Sequence, residues 1–223
     1  MSCRFYVFAL WTIPLFVLLF PSVMCTWTRS VGLFLEWTCH GVVWLVLNGL
    51  WLCALWIYSV DFTLPDSKLI SSAPRWSFSR WLAGPDPLLF PNSWTKAFCL
   101  LFALLFDMSL VGIMKGFVRR PRPEEDVHGD MRLTVRQDLW SFPSGHASRG
   151  VLLLWLLPSM FIFSQYQYML LLMWSGAICL SRYTMRRHHA TDVVAGCLLG
   201  FFEYQFTMLI HWPSILHLLW FGR

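Results

Sequence analysis

Ala97-Phe-Cys-Leu-Leu-Phe-Ala-Leu-Leu-Phe-Asp-Met-Ser-Leu-Val-Gly-Ile-Met114 carries one ionisable side chain, Asp107, and ends on Lys115-Gly-Phe-Val-Arg-Arg-Pro-Arg122-Pro123. An apolar run of this length, about 20 residues as helix, is what roughly 30 Å of hydrocarbon demands. Proline stops a helix, and Lys and Arg settle where a span meets water. The stretch therefore reads as a membrane-crossing helix that delivers a row of cations to a bilayer surface.

Outward from it, similar runs recur, and six spans can be drawn: Phe5–Met24, Leu33–Val60, Ala97–Met114, Ala147–Phe163, Tyr168–Leu180 and Thr191–Ile210. The fifth is short and is expected to extend over Ser181 and Arg182, or to borrow from Ser164–Gln167. The fold class is all-α, an integral membrane bundle of about six transmembrane helices forming one domain over residues 1–223. The chain is 57% hydrophobic and 13% charged, well below the quarter or so of charged residues usual in soluble domains, which argues against a water-soluble globule. Its 14 tryptophans suit a protein with two membrane interfaces. The first run, preceded by Arg4, has a cleaved signal peptide as its alternative reading. If it is retained, the span number is even and both termini share one side.

That arrangement puts the segment Lys115–Gly145 and the turn Arg182–His189 on the same face. The opposite face receives Asp61–Trp94, expected along the interface, and the tail His211–Arg223, too short to cross again. Net charge is +5, but the basic residues alternate with Pro, Gly and His, so nucleic-acid binding is excluded. Basic residues are more numerous on the site face, yet several read as ligands, so their count does not fix the orientation. The seven cysteines form no CxxC pair and read as small apolar residues.

Scarce charge gathers in three clusters: Lys115 to Pro123, Pro143-Ser144-Gly145-His146, and Ser181-Arg182 with His188 and Asp192. A phosphoryl group in transfer spreads charge over its equatorial oxygens, so its catalysis is mostly positioning and electrostatics. Arg122 and Arg182 present planar forks that match phosphate, and Lys115 adds a point charge. Ser144, Gly145 and His146 open the fourth span, where helix N–H groups lack partners and face an anion. His188 and Asp192 are four residues apart, expected on one helical face. The carboxylate would take the Nδ1 proton and leave Nε2 free to attack phosphorus, while His146 protonates the leaving oxygen.

Each cluster alone has a bland account: a basic membrane anchor, a turn into a helix, a structural His–Asp pair. All three in this order at span mouths on one face point instead to a phosphohydrolase. The strings KxxxxxxRP, PSGH and SRxxxxxHxxxD resemble the signature of the type-2 phosphatidic acid phosphatase superfamily, the lipid phosphate phosphatases. The resemblance covers Lys115 to Asp192 in motif and the whole chain in span layout. It implies a six-helix membrane bundle and metal-independent hydrolysis with no cofactor. The catalytic residues it implies are His188, His146 and Asp192, with Lys115, Arg122, Ser144, Gly145 and Arg182 binding phosphate. Within the superfamily, Met114 to Arg120, Ser141 to Ser148 and Thr191 to Gly196 look most like the presqualene and polyisoprenoid diphosphate phosphatases. His189 departs from that pattern, standing where a polar amide is common, and the long polar N-terminal extension known in some relatives is not expected here.

The expected partners are a lipid phosphate substrate and the bilayer, with a homo-oligomer left open, in endoplasmic reticulum or nuclear-envelope membranes. A phosphatase of phosphatidate, lysophosphatidate or sphingoid phosphates, and a non-catalytic membrane scaffold, are the competing readings. Glu124, Glu125, Asp126 and Asp130 are too irregularly spaced for a metal site and read as a solvated loop that could gate the site. Glu36, His40, Asp107 and Glu203 lie at membrane depth, where ionisable groups are functional candidates, and read as helix contacts or substrate-path lining.

Overall fold

In a computed structural model, residues 26–58, 92–123 and 140–221 are described, and these form seven α-helices and no strand. They are α1 (Thr26–Thr38), α2 (Gly41–Ile57), α3 (Ser93–Val118), α4 (Gly145–Met160), α5 (Gln165–Thr184), α6 (Ala190–Leu209) and α7 (Trp212–Phe221). The expected first span, nearly all of the segment Asp61–Trp94 and the acidic loop with Glu124, Glu125, Asp126 and Asp130 lie outside the described residues.

Helix α3 is the stretch quoted above. Its 26 residues measure about 39 Å at 1.5 Å per residue, enough to cross a bilayer. The Asn92 side chain caps it by accepting from the Thr95 N–H at 2.8 Å. It ends at Arg119, whose left-handed backbone (φ 46°) turns the chain and whose Nε donates to the Gly116 carbonyl at 2.9 Å. Among the described residues, α3 is the one helix long and apolar enough to cross alone.

The expected second span is broken. Ser30–Thr38 and Gly41–Ile57 qualify as a crossing only as a pair bent by 41°. The carbonyls freed at the break need partners if they sit in hydrocarbon. Trp44 Nε1 supplies one to Thr38 at 2.9 Å, and Arg149 Nη1 supplies one to Cys39 at 3.1 Å. The apolar run predicts an unbroken span, and one partner at the break, Arg149, is 110 positions from Cys39.

Helix α4 occupies the centre, buried along nearly its whole length and packed most extensively against α6, then α5. Close approach to α6 depends on two glycines: a methyl at Gly196 would collide with the Ser144 carbonyl, and one at Gly200 with that of Ser148. Leu104, Leu152, Leu153, Leu154, Leu156, Cys179 and Val193 fill the core. The short turn to α5 makes the two helices antiparallel neighbours. A capping box fixes it, with Ser164 Oγ accepting from Gln167 N–H and Gln167 Oε1 accepting from Ser164 N–H. As expected, α5 continues over Ser181 and Arg182.

The outside is apolar and the inside partly polar, the reverse of a soluble globule. Val42, Val46 and Leu50 of α2, Leu170 and Met173 of α5, and Leu198, Phe202 and Leu209 of α6 form exposed stripes. Asn48, Asp107, Ser148, Arg149, Glu203 and Thr207 are buried. The tail folds into α7, ten residues long and too short to cross, anchored by Trp212 Nε1 donating to the Thr207 carbonyl at 3.2 Å.

Candidate active site

The three sequence clusters converge because α3 and α5 end where α4 and α6 begin. Ser141 sews them together. Its N–H donates to the Arg120 carbonyl at 2.9 Å and its hydroxyl to the Pro121 carbonyl at 3.0 Å, tying the first cluster to the second. Its own carbonyl lies 2.7 Å from His188 Nδ1, tying both to the third. A second tie runs from the Ser144 N–H to the Asp192 carbonyl at 3.0 Å.

His188 follows α5 through a Schellman turn. The Arg187 N–H reaches back to the Arg182 carbonyl and the Arg186 N–H to that of Tyr183, with Arg186 in the left-handed conformation (φ 53°) that glycine usually takes. Thus His188 lies before α6, in the connection, not on the helical face shared with Asp192.

The expected Asp192–His188 hydrogen bond is consequently absent. Asp192 Oδ1 lies 2.8 Å from Arg120 Nη1, and Oδ2 accepts the His189 N–H at 2.9 Å, closing the first turn of α6. The i,i+4 spacing holds only inside a helix, and here the helix starts at Ala190. Nδ1 of His188 faces the Ser141 carbonyl instead. A carbonyl can only accept, so the Nδ1 facing it carries the proton and Nε2 of the neutral ring keeps its lone pair. Burial, then the neighbouring charges of Arg122, Lys115 and Arg182, push the His188 pKa well below its ordinary value of 6.5 and hold the ring neutral.

At the start of α4, the N–H groups of the first turn have no intrahelical partner, and Ser144 makes no side-chain cap. One of the three N–H groups foreseen for an anion, that of Ser144, is spent on Asp192. An added Cβ at Gly145 would lie 3.1 Å from a Val111 methyl, so a larger residue there requires Val111 of α3 to shift. Ser144 Oγ and His146 Nε2 are both buried without a hydrogen-bond partner among the described residues. The rings of His146 and His40 stand 6.2 Å apart.

The remaining expected ligands gather around these groups. Lys115 is buried on the last turn of α3, Arg122 is half-buried beyond it, and both act electrostatically on His188. Arg182, 1% exposed, pairs with Glu36 of α1, Nη1 to Oε2, at 3.0 Å. Among the described residues, no group of three or more His, Cys, Asp or Glu is placed to hold a metal.

Sequence reasoning missed Arg120, Ser141 and the pairing of Glu36. Arg120 hides in a basic string that also reads as an anchor, although it also donates to Thr191 Oγ1 at 2.7 Å. Ser141 acts through backbone atoms, which leave no residue-type signal. Glu36 and His40 looked like an i,i+4 pair on one helix, but the break between α1 and α2 sends them to Arg182 and His146 respectively.

A bundle that presents cations, orphaned donors and a tautomer-fixed imidazole at one membrane-facing end belongs to a known class. The chain is a member of the PAP2 superfamily, whose profile matches residues 96–215. A probable lipid phosphate phosphatase beta of Arabidopsis thaliana is 32% identical over 136 residues, an alignment that covers 48% of this chain. The chain spans 62% of that relative's length. No solved structure matches it.

Proposed function

We propose that the protein is an integral membrane phosphohydrolase that removes phosphate from lipid phosphates or diphosphates through a phosphohistidine, without metal. The observation that carries this reading is the His188 imidazole, its Nδ1 on the Ser141 carbonyl and its ring under the charges of Arg122, Lys115 and Arg182. Nε2 attacks phosphorus, the bond from phosphorus to the leaving oxygen breaks, and His146 Nε2 gives that oxygen a proton. Water then attacks the phosphohistidine, His146 takes its proton, and inorganic phosphate leaves. Lys115, Arg122, Arg182, Ser144 Oγ and the N–H of Gly145 meet the equatorial oxygens. Asp192 positions these groups: its carboxylate holds Arg120 and its carbonyl holds Ser144.

Membership of the PAP2 superfamily and the likeness to a plant lipid phosphate phosphatase support the lipid substrate. So does an apolar groove between α1 and α5, lined by Val31, Gly32, Leu35, Ala177, Leu180 and Thr184, that opens beside Ser181. A hydrocarbon tail in that groove leaves its headgroup next to Arg182. The sequence contexts of the motifs favour a polyisoprenoid diphosphate. Six crossings fit this reading: the first apolar run, the bent α1–α2 pair, α3, α4, α5 and α6.

Phosphate release by purified protein in EDTA, from farnesyl or presqualene diphosphate and from phosphatidate, tests the reading. Release without divalent metal and inhibition by orthovanadate, which takes up five-coordinate phosphorus geometry, are expected. No release from any of these lipids sinks the enzyme, and a strong preference for phosphatidate sinks the isoprenoid substrate.

A further inference from the structure

Helix α1 lies outside the matched stretch 96–215, yet it reaches the site twice. At its C-terminal end and the break that follows, Cys39 Sγ donates to the His146 carbonyl at 3.4 Å and His40 faces the His146 ring. One turn earlier, Glu36 meets Arg182 at 3.0 Å. Both partners are buried, Glu36 at 4% and Arg182 at 1% exposure. A guanidinium this far from water needs a counter-charge close by, because an isolated buried ion is costly. The other contacts of that guanidinium are long: Nη2 to the Gly32 carbonyl and Met185 Sδ at 3.5 Å each, and Nε to Ser181 Oγ at 3.4 Å. The carboxylate is the one short contact among them, and it engages a single nitrogen of a fork that has five N–H donors.

We propose that Glu36 is the positioning residue for Arg182: its carboxylate, delivered by α1, holds the guanidinium so that the remaining Nη1 N–H meets a phosphoryl oxygen. The site is then completed by a residue outside the matched domain. This rests on the phosphohydrolase reading above. A wandering guanidinium grips the phosphoryl group less well in the ground state and the transition state alike. Loss of Glu36 therefore acts mainly on KM and on anion affinity, and less on kcat.

The test uses the full chain in detergent with two readouts: phosphate release, and binding of orthovanadate followed by thermal shift, which needs no turnover. Glu36→Gln is expected to raise KM and the vanadate dissociation constant together by roughly ten- to hundredfold, as loss of a close buried counter-charge would. Glu36→Asp, which keeps the charge on a shorter arm, is expected to fall between. Wild-type vanadate affinity in Glu36→Gln overturns the proposal, even if that variant melts earlier. If Glu36→Gln does not fold, Glu36→Asp decides: weakened vanadate binding supports the proposal and unchanged binding overturns it. A wild-type chain that binds vanadate but releases no phosphate ends the phosphohydrolase reading and leaves Glu36 to be decided by binding alone. Absence of vanadate binding in the wild type overturns both.

Discussion

Two polar clusters sit inside this apolar bundle, and they are built on opposite rules. Deep between α3, α4 and α6, Arg149 pairs with Asp107 and caps the Cys39 carbonyl, while Ser148 Oγ donates to Glu203 Oε2 at 3.0 Å. The single cation there is met directly by a carboxylate. At the helix ends, cations outnumber carboxylates, and Ser144 Oγ and His146 Nε2 are left without partners among the described residues. Unpartnered buried atoms occur in the first cluster too, at Asp107 Oδ1, Arg149 Nε and Glu203 Oε1, so what distinguishes the second is its surplus of cations. A buried cation met by a carboxylate thus suits architecture, and a surplus of buried cations suits an anion.

The largest effect is expected from His188. Asn at this position can still donate an amide N–H toward the Ser141 carbonyl but has no nucleophilic nitrogen. His188→Asn should cut phosphate release by roughly 10⁴-fold or more, as loss of a covalent nucleophile does, with an unchanged melting temperature. Activity within tenfold of wild type would remove His188 from the chemistry.

The deep cluster should answer the other way. Asp107→Asn leaves the buried Arg149 guanidinium uncompensated, at a cost of about 3–5 kcal/mol. A lower melting temperature is expected, with phosphate release per folded molecule near that of wild type. If the variant melts normally but loses turnover, the division between the two clusters fails.

Much of this contrast could be read from residues alone. Hydrophobic length located α3, α4 and α6, and the three motifs named the cations and imidazoles that now lie at one end. Geometry that depends on where a helix begins could not be read. His188 and Asp192 have helical spacing, but the first helical residue is Ala190, so the pair separates. Glu36 and His40 also have helical spacing, and the break at Cys39 divides them. Contacts through main-chain atoms were equally hidden, since any residue can offer the carbonyl by which Ser141 holds His188.

A smaller effect is expected at Arg120, where the two clusters' rules meet. This arginine is balanced by Asp192, like the deep pair, but its side chain is 37% exposed, so solvent screens much of the interaction. Arg120→Ala should reduce kcat/KM by about tenfold or less through loosening of Asp192 and hence Ser144, with little change in melting temperature. A loss matching that of His188→Asn would place Arg120 among the phosphate ligands instead.

The finest distinction concerns pH. Only the unbalanced cluster pushes a titrating group away from its ordinary pKa at the surface end: burial, Arg122, Lys115 and Arg182 lower that of His188. The protonated ring cannot attack, so a lowered pKa keeps the free protein active into mildly acidic solution. The acid limb of kcat/KM, which reports the free protein, should therefore lie below pH 6.5. Lys115→Met removes one of the depressing charges and should move that limb upward by up to about one pH unit, whatever it does to the absolute rate. Stability follows the same sign. Below pH 6.5 the unfolded chain protonates His188 while the folded one resists, so the unfolded state binds more protons and stability falls as pH drops. His188→Asn should abolish that part of the decline, measured as melting temperature from pH 7.5 to 5. An acid limb above pH 6.5, or a melting curve equally steep in His188→Asn, would mean that the cations do not act on this imidazole.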